Sequence, residues 1–214
     1  MHKHLPRVAF YMLALATFPG LSSGAEVSAV EIVDPPGTGL YEIYVKGEIA
    51  RGDAEKLAQL VRSRLQRDVI GKVYVESPGG SVDEALRLAE TIRKYHLSVT
   101  VSVGGCYSAC FFLFASSPVR FTLGPVGIHR VYVDPAASDR LTLSEFRDVN
   151  ADAWKSTVAV MERYQVPSYL TEIARATPSD EMYILTKADL RAMGDFSPWH
   201  REFVKAQCGR SEEH

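Results

Sequence analysis

Three stretches of the sequence carry residues that could do chemistry. The first is Ser77-Pro78-Gly79-Gly80-Ser81, between an apolar run and a helical pattern. Paired glycines at such a turn let the backbone approach a ligand and aim N–H groups at it, beside the positive end of a helix. An oxyanion or a phosphate suits that arrangement. A Walker-type phosphate loop needs Gly-Lys-Ser/Thr after the glycines, and Val82-Asp83 stands there instead. A tight turn with no ligand accounts for the same residues. The second stretch is Gly104-Gly105-Cys106-Tyr107-Ser108-Ala109-Cys110. It places Ser108 in the first turn of a helix, where free N–H groups and the helix dipole favour negative charge. There a serine acts as a nucleophile with the Ala109 N–H as oxyanion donor, or more commonly as a helix cap. The third is His129, at the end of Val126-Gly127-Ile128. Of the six histidines, His2 and His4 lie at the start, His214 is terminal, and His200 is in the polar tail. His96 sits at the polar end of a helical pattern, so His129 is the best base for Ser108.

The elements that must position these groups alternate in period. Tyr41, Ile43 and Val45 alternate with Glu42, Tyr44 and Lys46, the pattern of a first strand with one wet face. Asp53 can cap a helix with Leu57, Leu60, Val61 and Leu65 inward. Val73-Tyr74-Val75 reads as a buried strand, and Ser81 with Glu84 as a capping box for the helix carrying Val82, Ala85, Leu86, Ala89 and Ile92. Val99 to Val103 is a further strand, and the apolar run from Cys106 to Ala115 is a helix that must be buried. Short strands are expected at Phe121 to Leu123 and Val126 to Ile128. Phe146, Val149, Ala153, Thr157, Val160 and Tyr164 mark one face of a long helix that ends before Pro167. A shorter helix to about Ala176, a strand at Tyr183 to Leu185 and a helix to Met193 follow, then an irregular polar tail over residues 195–214. Alternating strands and helices of this kind make one α/β domain of repeated βα units.

Composition limits the function classes. The 214 residues include 24 Lys+Arg and 26 Asp+Glu, a net charge of −2, and 46% are hydrophobic. A core is affordable at that length, and a nucleic-acid binder would need a basic excess that is missing. Residues 1–25 read as a secretory leader: Lys3 and Arg7, the apolar run Val8 to Phe18, then Ser23-Gly24-Ala25 with small residues where a signal peptidase reads. An uncleaved anchor is the rival, but a spanning helix needs about 20 apolar residues. The mature domain would then be residues 26–214, in an oxidising space of which a bacterial periplasm fits best. Cysteines 106, 110 and 208 contain no C-x-x-C, which excludes a zinc ribbon and a thioredoxin-type dithiol. One disulfide is expected. Because two cysteines four apart on a helix bridge poorly, Cys208 tied to Cys106 or Cys110 is the expected pairing. The alternative is that Cys106 and Cys110 are small buried residues. No second histidine is placed to make either a nucleophile.

The string Ser77-Pro78-Gly79-Gly80-Ser81-Val82, followed 28 residues after Gly80 by Ser108 within Gly105-Cys106-Tyr107-Ser108-Ala109, and then by Gly127-Ile128-His129, resembles the proteolytic subunit of Clp protease and its relatives in the wider Clp/crotonase-like fold. The resemblance covers about residues 41–194. It implies a Clp/crotonase-like α/β domain with a protruding long helix, and Ser108 as nucleophile with His129 as general base. It also implies an oxyanion hole from the Gly80 and Ala109 N–H groups. Asp180 matches the orienting aspartate best, with Glu181 as the fallback. Asp134 is too close in sequence to His129 to turn back on it, since an extended chain would carry it roughly 16 Å away. The chain departs from the family in having His129-Arg130-Val131 for His-Gln-Pro, a slightly short serine-to-histidine interval, and no arginine before Asp180.

The resemblance further implies acyl transfer on short or unfolded peptides with no metal or organic cofactor, and homo-oligomeric assembly through the helix from Leu143 to Tyr164. Export removes ATP, so no ATP-driven unfoldase is expected as a partner. A catalytically inactive Clp-like peptide-binding or scaffold protein of the envelope is the competing function. A crotonase-type enzyme is disfavoured, because coenzyme A is not expected outside the cytoplasm and no basic cluster marks a nucleotide pocket.

Overall fold

Ile43 and Val45, Val73 and Val75, and Val99 and Val101 alternate along three neighbouring strands, and all six are buried. Each such side chain contributes about 1.5–3 kcal/mol by leaving water, and together they fix which face of the sheet the helices cover. The computed structural model describes residues 24–31, 40–65, 69–132 and 141–208. Most of the expected leader lies outside these residues, as does Asp134.

The strands are β1 (Glu26–Glu31), β2 (Leu40–Lys46), β3 (Val69–Ser77), β4 (Val99–Tyr107), β5 (Arg120–Thr122), β6 (Val126–Ile128) and β7 (Tyr183–Ile184). They form one sheet of order β1-β2-β3-β4-β6-β7, with β5 also paired to β4. β2, β3, β4 and β6 run parallel, while β1 and β7 are antiparallel edges. β4 serves two partners: Val99–Val101 pair with β5, and Cys106 and Tyr107 pair with β6. The helices α1 (Asp53–Leu65), α2 (Val82–Lys94) and α3 (Phe111–Ser116) supply the buried Leu57, Val61, Leu88, Ile92 and Leu113 to the same core. α4 (Leu143–Arg163), α5 (Ser168–Ala176), α6 (Lys187–Met193) and α7 (Pro198–Cys208) complete the chain.

α4 is buried only towards its end. Thr157 and Met161 are buried, and Tyr164 just after it lies in the core with its hydroxyl on Glu90 of α2 at 3.3 Å. Burial, reinforced by Glu90, pushes the Tyr164 phenol up to about 12. At the other end Leu143 is 67% and Val149 40% exposed. The helix therefore projects its first half from the body, as the resemblance implies.

Three expectations need correction. Tyr41 to Val45 is the second strand, because β1 pairs along its edge; β1 lacks the strict alternation that reveals a strand. The Ser81–Glu84 capping box is only half made. Ser81 accepts from the Glu84 N–H, but the Glu84 carboxylate instead takes the Gly52 and Ala54 N–H groups at 3.0 and 2.8 Å, at the start of α1. Those N–H groups have no partner inside their own helix, so a buried carboxylate gains more there. The tail is helical to Cys208 rather than irregular. Pro198 suits a first helical turn, and Arg93 stacks on Trp199 with its guanidinium carbon 4.5 Å from the ring centroid. His96 packs against Trp199 and Phe203 in the same cluster.

Asp53 is buried and joins the sheet edge to α1. Its carboxylate accepts from the N–H groups of Ala25 and Ala50 at 2.9 and 2.8 Å and from Lys56 at 2.8 Å. Ala25, the last residue of the expected leader, is itself buried. Removing a buried charged acceptor strands its donors. Asp53→Ala is expected to cost about 3 kcal/mol of stability, read as a lowered urea midpoint with an unchanged slope.

Candidate active site

The sheet ends its central strand in a reversal. Tyr107 is extended (φ −121°, ψ 155°), Ser108 has φ +54°, and a 3-10 turn, Ser108–Cys110, leads straight into α3. A non-glycine residue in the left-handed region costs about 1–2 kcal/mol, so the surroundings must hold it there. Two features do. Cys106 and Cys110 are joined by a disulfide with their Cα atoms 5.3 Å apart. The expected bridge to Cys208 is thereby overturned. The reason is that Cys106 lies in β4, not on a helix, so the turn at Ser108 folds the pair together within ordinary bridging distance. Cys208 is exposed, on α7.

The second feature is the glycine loop after β3, which lies against the reversal. A Cβ on Gly79 (φ +109°) would sit 2.7 Å from the Ser108 Cβ and 2.9 Å from the Tyr107 carbonyl oxygen. The two motifs seen separately in the sequence are thus in contact. Gly80 (φ +130°) pairs with Ile49: the Ile49 N–H donates to the Gly79 carbonyl at 2.7 Å, and the Ser81 N–H donates to the Ile49 carbonyl at 2.8 Å. That pairing uses the groups flanking Gly80, which leaves its own N–H on the opposite edge of the segment.

An open cleft of about 640 Å³ runs along this loop, lined by Gly80, Ser81, Val82, Leu86, Ser108, His129, Val131, Ala153, Thr157 and Ser179 among others. Ser108 and His129 are both half-buried on it. Among the described residues Ser108 Oγ has no hydrogen-bond partner. The His129 Nδ1 lies 2.8 Å from the Arg130 carbonyl oxygen. A carbonyl can only accept, so Nδ1 is the donor, and in the neutral ring this leaves Nε2 with the lone pair a general base requires. Arg130 is itself held by its N–H on the Thr177 carbonyl at 3.0 Å. Ala109 is buried directly behind Ser108. Asp180 and Glu181 are exposed in the turn between α5 and β7, next to the cleft-lining Ser179.

The family model of Clp protease matches residues 40–125, from β2 through Ser108 to just before β6. The fold is Clp protease-like. A solved structure of a ClpP1 point variant from Listeria monocytogenes superposes with a TM-score of 0.51 at 15% identity, covering 72% of this chain and 88% of that one. At that identity the likeness speaks for the fold alone. No curated protein matches the sequence. The matched stretch thus covers β2 to β5, the glycine loop and the serine reversal.

Sequence reasoning missed three contributors to this cleft. Ala153, Ser156 and Thr157 of α4 line it, although the helix was read only as core and contact element. The Arg130 carbonyl orients His129, a backbone role that leaves no mark on residue type. The disulfide had a usable signal: its two cysteines straddle the expected strand-to-helix boundary. Gly79 and Gly52 separate collision from backbone cost. Both have positive φ, but a Cβ on Gly52 meets nothing within 4 Å. Gly79→Ala is expected to destabilise by about 1–3 kcal/mol more than Gly52→Ala, measured by thermal unfolding of the two variants.

Proposed function

We propose that the chain is an exported, ATP-independent serine peptidase acting on short or unfolded peptides. The observation that carries this is the shared cleft: a strained serine with an unpartnered hydroxyl, a histidine with a free Nε2 lone pair, and the Gly80 backbone all line it. In the proposed reaction His129 Nε2 takes the Ser108 proton and Oγ attacks the peptide carbonyl carbon. The N–H groups of Gly80 and Ala109 receive the developing oxyanion, each worth about 3–4 kcal/mol. His129 then returns the proton to the leaving amine, and water releases the acyl group by the same path. Asp180 is the candidate third member and would have to accept the Nδ1–H hydrogen bond that the Arg130 carbonyl accepts. No metal or organic cofactor enters these steps.

Export is supported by the leader pattern of residues 1–25 and by the buried disulfide, since such bridges persist in oxidising compartments such as the bacterial periplasm. Assembly of several copies is supported by the projecting half of α4, whose Leu143 and Val149 are exposed. The second reading, a Clp-like peptide-binding domain without catalysis, is favoured by one observation: His129 is oriented by a carbonyl, with Asp180 exposed.

A serine-directed phosphonate separates the two. Covalent labelling of the exported protein is expected, abolished in Ser108→Ala and slowed about 10²–10⁴-fold in His129→Ala; absence of labelling in the parent protein would favour the binding domain. For assembly, light scattering is expected to give a multiple of the 23.7 kDa chain mass, less any leader removed. Leu143→Asp with Val149→Asp should reduce it towards a single chain. A monomeric parent protein would refute that part.

A further inference from the structure

The Cys106–Cys110 bridge encloses only Tyr107, Ser108 and Ala109, which are the proposed nucleophile, an oxyanion donor and one neighbour. Both cysteines are fully buried, so the sulfurs offer no surface ligand or redox centre to a partner. Their effect must pass through the three residues between them. Cys106 is fixed in the sheet, paired with Val126 and with Ser77 and donating its N–H to the Pro125 carbonyl at 2.9 Å. Cys110 already has helical backbone angles (φ −58°, ψ −29°). The change of direction is therefore confined to the intervening residues and rests on the positive φ of Ser108.

Without the bridge, the chain can relieve Ser108 by running β4 on in extended form. Four residues of strand would separate the two Cα atoms by about 13 Å, against the observed 5.3 Å. The opposite relief, starting the helix earlier, would break the pairing of Cys106. The bridge forbids the first and the sheet forbids the second. The glycine loop adds a packing contact to Tyr107 and Ser108, whereas the bridge alone ties Cys110 covalently back to the strand.

We infer that the Cys106–Cys110 disulfide is a positioning element of this site, holding Ser108 and the Ala109 N–H in place, so that the chain becomes competent only when it is oxidised. Its consequence for activity rests on the reading of Ser108 as nucleophile; its geometry does not. Closure removes two electrons and two protons from the thiol pair. A protein-disulfide oxidant takes them up before folding buries the two cysteines: one cysteine thiolate attacks a sulfur of the oxidant to give a mixed disulfide, the second displaces it, and the oxidant leaves as a dithiol. A peptidase built this way stays latent in a reducing cytoplasm and is switched on by export.

The test compares the exported full-length product, Cys106→Ala/Cys110→Ala and the control Cys208→Ala. Two readouts are taken: the rate of phosphonate labelling at Ser108, with KM for a short peptide, and hydrogen exchange of the Phe111 amide, which donates to the Ser108 and Ala109 carbonyls. The double variant is expected to label at least tenfold more slowly with KM within twofold, and to exchange the Phe111 amide at least tenfold faster. Cys208→Ala should match the parent in both. Parent-like labelling by the double variant overturns the inference. If the parent protein does not label at all, the nucleophile reading fails by itself and exchange decides: an unchanged Phe111 amide overturns the positioning role. Should the double variant fail to fold, the parent is treated with dithiothreitol and then oxidised glutathione. Loss and recovery of labelling are expected, and full labelling with both thiols reduced overturns the inference. In a parent that does not label, Phe111 exchange follows the same cycle: loss and recovery of protection are expected, and unchanged protection with both thiols reduced overturns it.

Discussion

The reversal of backbone direction at Ser108 is the constraint on which the site depends. An L-residue with a side chain does not take a left-handed conformation between a strand and a helix unless neighbours leave no cheaper path. Here β4 is held by sheet pairing, α3 by complete burial, and the glycine loop of β3 by a contact that admits no Cβ at Gly79. The hydroxyl is presented to the cleft as a by-product of these restraints. Strain concentrated at one residue and supported by a rigid sheet is an arrangement suited to a preorganised site.

Around that point the molecule divides the work by layer. The parallel strands and α1 to α3 set the backbone geometry, with the buried carboxylates of Asp53 and Glu84 joining the start of α1 to β1 and α2. The later elements supply the rest: β6 delivers His129 at its end, α5 anchors Arg130 through the Thr177 carbonyl, and α4 forms the far wall. The family match spans β2 to β5 with α1 to α3 and stops just before β6. The family-matched scaffold and the half of the cleft built by later elements thus fall on different stretches of chain.

Most of the scaffold was readable because apolar periodicity reports burial directly. Ile43 and Val45, Leu57 and Val61, and Ala85, Ala89 and Ile92 point where their spacing says. Ser108 was legible as a candidate from its place after the glycine pair, His129 by elimination among the histidines, and Gly79-Gly80 because only glycine suits the loop. What was illegible depends on three-dimensional partners. Glu84 looked like a cap for its own helix and instead serves its neighbour's. Cys106 and Cys110 looked helical because their apolar surroundings hide the end of β4. α7 reads as polar, and only the packing of Trp199 and Phe203 on α2 and His96 explains its order.

The hydrogen bond from the Ala25 N–H to the buried Asp53 carboxylate reaches beyond stability. It makes the extreme edge of the sheet sensitive to where the polypeptide starts. A recombinant chain beginning at Glu26 would forfeit that donor, whereas one beginning at Ala25 would set a charged amino group against the carboxylate. Bulk added just ahead of Ala25 would meet Asp53 as well, because a side chain on Gly24 would fall 2.6 Å from its oxygen. The choice of first residue therefore decides which donor the buried Asp53 carboxylate meets at the start of β1.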